Sequence, residues 1–134
     1  MLSKLFGRVV SGKGEGRYYM SLLPYKEKFK NILGYEPYEG TLNIKLGHEI
    51  DLNQLKPIEV DDFYYKNNKY YGVKIIPVKI CTKDYCVKGA IVYPKKTEHP
   101  NNIIEIIAPI KLRKYLFLKN NDIIMITLNG EKNE

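Results

Sequence analysis

The sequence has no tryptophan, two cysteines, two histidines and a single glutamine among its 134 residues. Cys81 and Cys86 fall short of a four-ligand metal site, and His48 and His99 lie far from them in sequence. Two readings of the pair stay open: reduced core thiols, or a hairpin disulfide spanning the turn Thr82-Lys83-Asp84-Tyr85. A Lys- and Ile-rich composition with one glutamine is the pattern of hot, AT-rich sources, where intracellular disulfides are less rare. No apolar run approaches the ~18–20 residues of a membrane span. The longest, residues 123–128, is strand-length. The N-terminal residues lack the ~7–15-residue apolar stretch and small-residue cleavage site of a secretion signal. The expected compartment is the cytoplasm, with no membrane partner. Acidic side chains are also few: 15 against 22 basic ones leave a net charge of +7. That excess favours an anionic partner (nucleotide phosphates, nucleic acid or a lipid surface) without choosing among them.

Hydrophobic residues make up 44% and charged residues 28%, enough for one real core in a chain of this length. A single domain over residues 1–134 is expected, with 129–134 a polar tail. The first strand pattern, residues 5–10, runs into a glycine-rich segment. A helix follows, with Ser21 as its candidate cap, Pro24 in its first turn, apolar Leu22, Leu23, Tyr25, Phe29, Ile32 and Leu33, and Gly34 as its stop. Residues 41–46 alternate as a strand, and a loop is expected over 51–57. Residues 63–66 and 70–74 flank a turn at Asn67-Asn68-Lys69, and 75–81 and 86–93 flank a second. Residues 103–107 read as another strand. Pro109 opens a short helix through Leu112, Arg113 and Tyr115, Asn120-Asn121-Asp122 makes a turn, and 123–128 is the last strand. Six to seven short strands without βαβ alternation predict a mostly β fold, a compact closed barrel with one early helix and one short late helix.

Four segments carry candidate chemistry. Gly12-Lys13-Gly14-Glu15-Gly16, with Arg17 behind it, follows a strand directly. Glycines there allow positive φ and let consecutive N–H groups converge on an anion, although the spacing is not that of a P-loop. A plain β-to-helix turn is the alternative. In Gly40-Thr41-Leu42-Asn43, Thr41 and Asn43 project to one face of a strand, offering two neutral oxygens that suit Mg²⁺ shared with phosphate; a solvated strand face is the ordinary alternative. Glu105 sits amid Ile103, Ile104, Ile106 and Ile107, on the wet face of a strand or placed in a pocket. Lys111, Leu112, Arg113 and Lys114 open the late helix, as an anion site or a solvated basic face.

In this order the segments are specific. Ser11-Gly-Lys-Gly-Glu-Gly-Arg-Tyr-Tyr-Met20, Leu33-Gly-Tyr-Glu-Pro-Tyr-Glu-Gly-Thr-Leu-Asn43, Thr97-Glu-His-Pro100 and Glu105-Ile-Ile-Ala-Pro-Ile-Lys-Leu-Arg113 resemble the archaeal CTP-dependent riboflavin kinases, from residue 8 to residue 126. The chain departs from that pattern at Lys13, where a more apolar residue is usual, and at Glu39, where proline is. The resemblance implies a cradle-loop (RIFT-like) barrel that transfers the γ-phosphate of CTP to the riboflavin 5′-hydroxyl, giving FMN and CDP. It implies that Gly12, Lys13, Gly14, Glu15, Gly16 and Arg17, with Lys111, Leu112, Arg113 and Lys114, hold CTP or CDP. By the same resemblance Thr41 and Asn43 hold Mg²⁺, and Thr97 and Glu105 contact riboflavin or FMN. Glu105 is then the catalytic candidate beside the attacking hydroxyl. The expected partners are riboflavin and CTP, without nucleic acid, for a monomer. Two other classes compete. A single-stranded nucleic-acid-binding barrel would use the tyrosines and lysines of residues 64–71 but leaves Gly-Thr-Leu-Asn idle. A swapped-hairpin DNA-binding regulator would use residues 112–116 but is usually a shorter, obligate dimer.

Overall fold

The computed structural model describes residues 4–12, 19–95 and 101–128. Lys13, Gly14, Glu15, Gly16, Arg17, Thr97 and the tail 129–134 lie outside the described residues. The elements in chain order are β1 (Lys4–Val10), α1 (Leu23–Leu33), β2 (Leu42–Ile50), a 3-10 turn (Leu52–Leu55), β3 (Ile58–Val60), β4 (Phe63–Tyr65) and β5 (Asn68–Tyr70). There follow β6 (Val73–Cys81), β7 (Cys86–Pro94), β8 (Asn101–Ile107), α2 (Leu112–Tyr115) and β9 (Ile123–Leu128).

The main sheet runs β3-β6-β7-β8-β2-β1-β9, and β9 pairs back onto β6, with Ile80 opposite Ile126. Six antiparallel strands therefore close on themselves and β3 extends β6, the mostly β closed barrel expected from the sequence. Closure removes the exposed edges that an open sheet of this size would leave. In β1 the residues alternate cleanly: Leu5, Gly7 and Val9 are buried while Lys4, Phe6 and Arg8 are exposed. Leu5, Val9, Ile44, Ile80, Ile91, Ile104 and Ile126 fill the barrel interior.

A second core lies outside the barrel wall. Met20, Tyr25 and Phe29 pack on Val60, Val73, Ile75, Ala90 and Ile107. Neighbouring residues of one strand thus serve opposite cores: Ile106 points into the barrel and Ile107 towards α1. This double duty accounts for the isoleucine run of β8, where an unbroken apolar string marks a strand buried on both faces. It also gives Glu105 its setting, on the α1 side of the strand with Ile103 and Ile107.

Helix α1 begins with Leu22 as N-cap and Pro24 in the first turn; no side chain caps it, so Ser21 does not have the expected role. Gly34 ends it at φ 82°, and its N–H donates to the Lys30 carbonyl at 2.9 Å. Its buried stripe is narrower than the apolar count predicts, because Tyr25 and Phe29 face the sheet while Leu23 and Ile32 face solvent. The β4–β5 turn is Lys66-Asn67, both at positive φ, one residue earlier than expected. Two left-handed residues make the turn whose twist matches a two-residue hairpin. The segment expected as loop contains the 3-10 turn, and the short strand β3 follows it directly. Cys81 and Cys86 are directly opposed across β6 and β7, Cα atoms 4.1 Å apart, and are joined as a disulfide. This settles the open question of the thiols against the reduced form: the four-residue turn between them brings both side chains to one face.

Candidate functional site

A cleft of about 450 Å³ opens where three segments meet. The segment after β1 contributes Ser11 and Gly12, the start of β2 and the residues before it contribute Gly40, Thr41 and Asn43, and the start of α2 with the residue before it contributes Lys111, Leu112 and Arg113. Three of the four sequence-distant candidate segments are thereby brought to one place. The antiparallel pairing of β1 with β2 explains this for Gly12, since Val10 stands opposite Asn43. A Cβ placed on Gly12 would lie 2.0 Å from Asn43 Nδ2 and 2.3 Å from its Cγ. Gly12 is therefore needed for space rather than for positive φ, because the Asn43 carboxamide already occupies the volume a side chain would fill.

Pairing of β2 with β8 sets Asn43 opposite Glu105. Thr41 Oγ1 donates to Glu105 Oε1 at 2.8 Å. Thr41, Asn43 and Glu105, all half-buried, thus form one oxygen-rich face on the outside of the barrel wall. Thr41 directs its proton at the carboxylate, so its lone pairs are left to face the cleft. Among the described residues no group of three or more His, Cys, Asp or Glu could hold a metal ion. The donors here are a hydroxyl, an amide and one carboxylate, a set that suits a hard cation completing its sphere with phosphate and water.

Glu105 also lines a second pocket, of about 390 Å³, on the other side of Thr41. Its walls are Tyr19 ahead of α1, Phe29 of α1, and Val73, Val92, Tyr93 and Pro94 of the sheet. Tyr19 meets Tyr25 edge-on at 5.3 Å, and the Tyr25 hydroxyl donates to the Tyr71 carbonyl at 2.7 Å, which fixes that wall. An apolar slot with one carboxylate at its rim fits a flat, largely apolar molecule that presents a hydroxyl towards Glu105. Glu105 is thus neither on an open wet face nor sealed in.

The late basic segment divides. Lys111 and Leu112 line the cleft, whereas Lys114 lies in a neighbouring hollow among Tyr85, Tyr115 and Phe117. With four residues, α2 is too short to act through a helix dipole, so the expected anion site at its N-terminus becomes a matter of local charge and backbone. Arg113 lines the cleft and donates from Nη2 to Asn120 Oδ1 at 2.7 Å and to the Val10 carbonyl at 3.3 Å. Glu39, at the cleft rim, pairs with Lys26 of α1. Ser11 lines the cleft, Tyr19 and Phe29 line the second pocket and Asn120 bonds Arg113, yet none of the four was a site candidate in the sequence. Phe29 was legible only as a core residue, and Asn120 only as part of a turn.

The sequence model of the CTP-dependent riboflavin kinase family, described as domain of unknown function DUF120, matches residues 9–128. A riboflavin kinase of Methanococcus aeolicus is 82% identical over 128 residues, covering 96% of this chain and 100% of the relative. One from Methanococcus vannielii is 52% identical over 124 residues, covering 92% of this chain and 95% of the relative. One from Pyrobaculum aerophilum is 42% identical over 130 residues, covering 93% of this chain and 60% of that longer relative.

Proposed function

The chain belongs to the CTP-dependent riboflavin kinase family, and from that membership we propose that it transfers the γ-phosphate of CTP to the riboflavin 5′-hydroxyl. The observation that carries the reading is the Thr41–Glu105 hydrogen bond, which joins a polar cleft to an apolar slot at a single point. A phosphoryl transfer needs that arrangement: two substrates in separate sites, with donor and acceptor atoms meeting between them.

The nucleotide takes the cleft, its phosphates between Gly12 and the Lys111–Leu112 backbone, with the Lys111 ammonium offsetting their charge. Lys13, Gly14, Glu15, Gly16 and Arg17 continue the chain from Gly12, and their place in the nucleotide site is part of this proposal, as are Lys114 beside the hollow and Arg113. The isoalloxazine ring takes the slot between Phe29 and Val92, with Thr97 as a further contact. The ribityl chain then points its 5′-hydroxyl at Glu105. Thr41 and Asn43 would hold Mg²⁺ that enters with the nucleotide, where it would offset charge on the phosphates. Glu105 keeps Oε1 on Thr41 and turns Oε2 to the hydroxyl. As the bond from the flavin oxygen to the γ-phosphorus forms, the bond to the β–γ bridging oxygen breaks and CDP leaves. Glu105 receives the hydroxyl proton. A loose transition state asks for little activation, so holding the hydroxyl in line counts for more than basicity. The reading takes the enzyme as a cytoplasmic monomer with two small-molecule substrates.

The test is to incubate the protein with riboflavin, Mg²⁺ and each nucleoside triphosphate in turn, and to follow FMN by chromatography. FMN formed fastest with CTP is expected. Equal or faster formation with ATP would overturn the donor assignment, and no FMN with any donor would overturn the kinase reading for this chain.

A further inference from the structure

The two walls of the nucleotide cleft are distant in sequence, one at the end of β1 and one at α2, and a third segment ties them together. That segment is the turn before β9. Asp122 N–H donates to the Lys119 carbonyl at 3.0 Å, Asp122 Oδ2 accepts from Lys119 N–H at 2.8 Å, and Asn121 takes positive φ. The turn is then stitched to β1: Asn121 N–H donates to the Val9 carbonyl at 2.7 Å, and Val9 N–H to the Asp122 carbonyl at 2.9 Å. Its backbone is fixed relative to the strand that leads into Ser11 and Gly12.

From this fixed turn the Asn120 side chain reaches both walls. Its Oδ1 accepts from Arg113 Nη2 at 2.7 Å, and its Nδ2 donates to Ser11 Oγ at 3.0 Å. The amide orientation follows from chemistry, because a guanidinium only donates and so must meet the oxygen. The same Arg113 nitrogen donates to the Val10 carbonyl, closing a ring of contacts through α2, the turn and the end of β1. Ser11, Val10 and Arg113 all line the cleft; Asn120 does not.

We infer that Asn120 is a positioning residue for the nucleotide, setting the separation of the two cleft walls through Arg113 and Ser11. The inference rests on the nucleotide reading of the cleft. It gives Arg113 a bracing role in addition to its place on the cleft wall. Ser11 and Asn120 are exposed and Arg113 is half-buried, and the two bonds Asn120 makes are exposed, so losing them costs little global stability, whereas a displacement near 1 Å at a phosphate-transfer site costs up to ~10²-fold in rate. The signature is a loss in nucleotide use without a loss of fold.

The experiment compares N120A, N120D and S11A with the wild type by steady-state kinetics in each substrate and by thermal melting. N120A is expected to raise the KM for CTP about tenfold while the riboflavin KM stays within about twofold and the melting temperature barely moves. N120D still offers an oxygen to Arg113 and accepts from the Ser11 hydroxyl, so it should recover most of the loss, and S11A should show a smaller version of it. An unchanged CTP KM in N120A overturns the inference. So does equal loss in N120A and N120D, or a rise in both KM values together with a lowered melting temperature in all three variants. A wild-type protein that makes no FMN at all would instead fail the underlying reading, so the two failures are distinguishable.

Discussion

Replacing Gly12 with alanine puts a methyl carbon where the Asn43 carboxamide now sits. The built Cβ lies 2.0 Å from Nδ2, 2.3 Å from Cγ and 2.6 Å from Oδ1 of Asn43. Contacts below 3 Å do not persist, so the amide must retreat by more than 1 Å. The obstacle is the far end of a half-buried side chain, which can rotate at a cost of ~0.5–1.5 kcal/mol if it leaves its rotamer well. Alanine also lowers the entropy of the unfolded chain, worth ~0.4–1 kcal/mol where φ is not left-handed, as at Gly12. These terms offset, and melting should move by no more than about 4 °C. Activity should not be spared. Asn43 is one of two neutral oxygen donors proposed for Mg²⁺, and a 1 Å misplacement is worth ~10²-fold, about 2.7 kcal/mol of transition-state stabilisation. Steady-state kcat/KM in CTP at saturating riboflavin, with a melting curve, gives both numbers. The sharper check is the double variant G12A/N43A. Because Gly12→Ala acts through Asn43, the double variant should be no slower than N43A alone. Multiplicative losses, or a fully active G12A with normal stability, would refute the placement of Asn43 against Gly12 as functionally meaningful.

Thr41→Val keeps the shape but removes the hydrogen bond to Glu105, one to a charged acceptor worth ~1.5–3 kcal/mol, so turnover at limiting Mg²⁺ should fall roughly 10- to 100-fold; full activity there contradicts the assignment. Glu105→Gln can still accept from Thr41 and should lower kcat about tenfold with CTP affinity near normal, measured by calorimetry; normal kcat and normal flavin affinity would remove Glu105 from the site. Reducing the Cys81–Cys86 disulfide opens a short loop, which by chain entropy is worth ~2 kcal/mol, so excess thiol reductant should lower the melting temperature by ~5–10 °C. Two titratable thiols in the untreated protein would contradict the bond. Burial pushes the Tyr35 phenol up to about 12, and burial with the nearby charges of Asp51 and Glu59 pushes Tyr93 up to about 12, from an ordinary 10.0. The fold favours the neutral phenols, so their stabilising contribution is full below pH 10 and is lost as pH rises towards 12. Denaturant melts of wild type, Y35F and Y93F should show a shallower loss over that range in the variants, and identical slopes would sink the assignment.

Local pattern and long-range register divide what could be read in advance. The alternation of β1 and β9, the Gly34 stop and the pairing of Thr41 with Asn43 on one strand face are properties of a few consecutive residues, and each is visible in the sequence. The meeting of Thr41 with Glu105 depends on the β2–β8 register across 64 positions, and no local signal fixes it. Glu105 was ambiguous for the same reason, since two cores on opposite faces of β8 erase the alternation that would have shown its side. Strand β3 is three residues long beside Pro57, too short for a periodic signal, and its place depends on β6. Asn120 looked like turn chemistry because it is turn chemistry; its second role exists only once β1 and α2 are side by side.

The most direct test of the central claim follows the phosphorus atom itself. The protein is supplied with CTP labelled at the γ-phosphate, riboflavin and Mg²⁺, and the products are separated. The account predicts label in FMN in equal amount to unlabelled CDP formed, with no label transfer when riboflavin is left out. Label that stays in CTP, or that appears only as inorganic phosphate whether or not riboflavin is present, would contradict it.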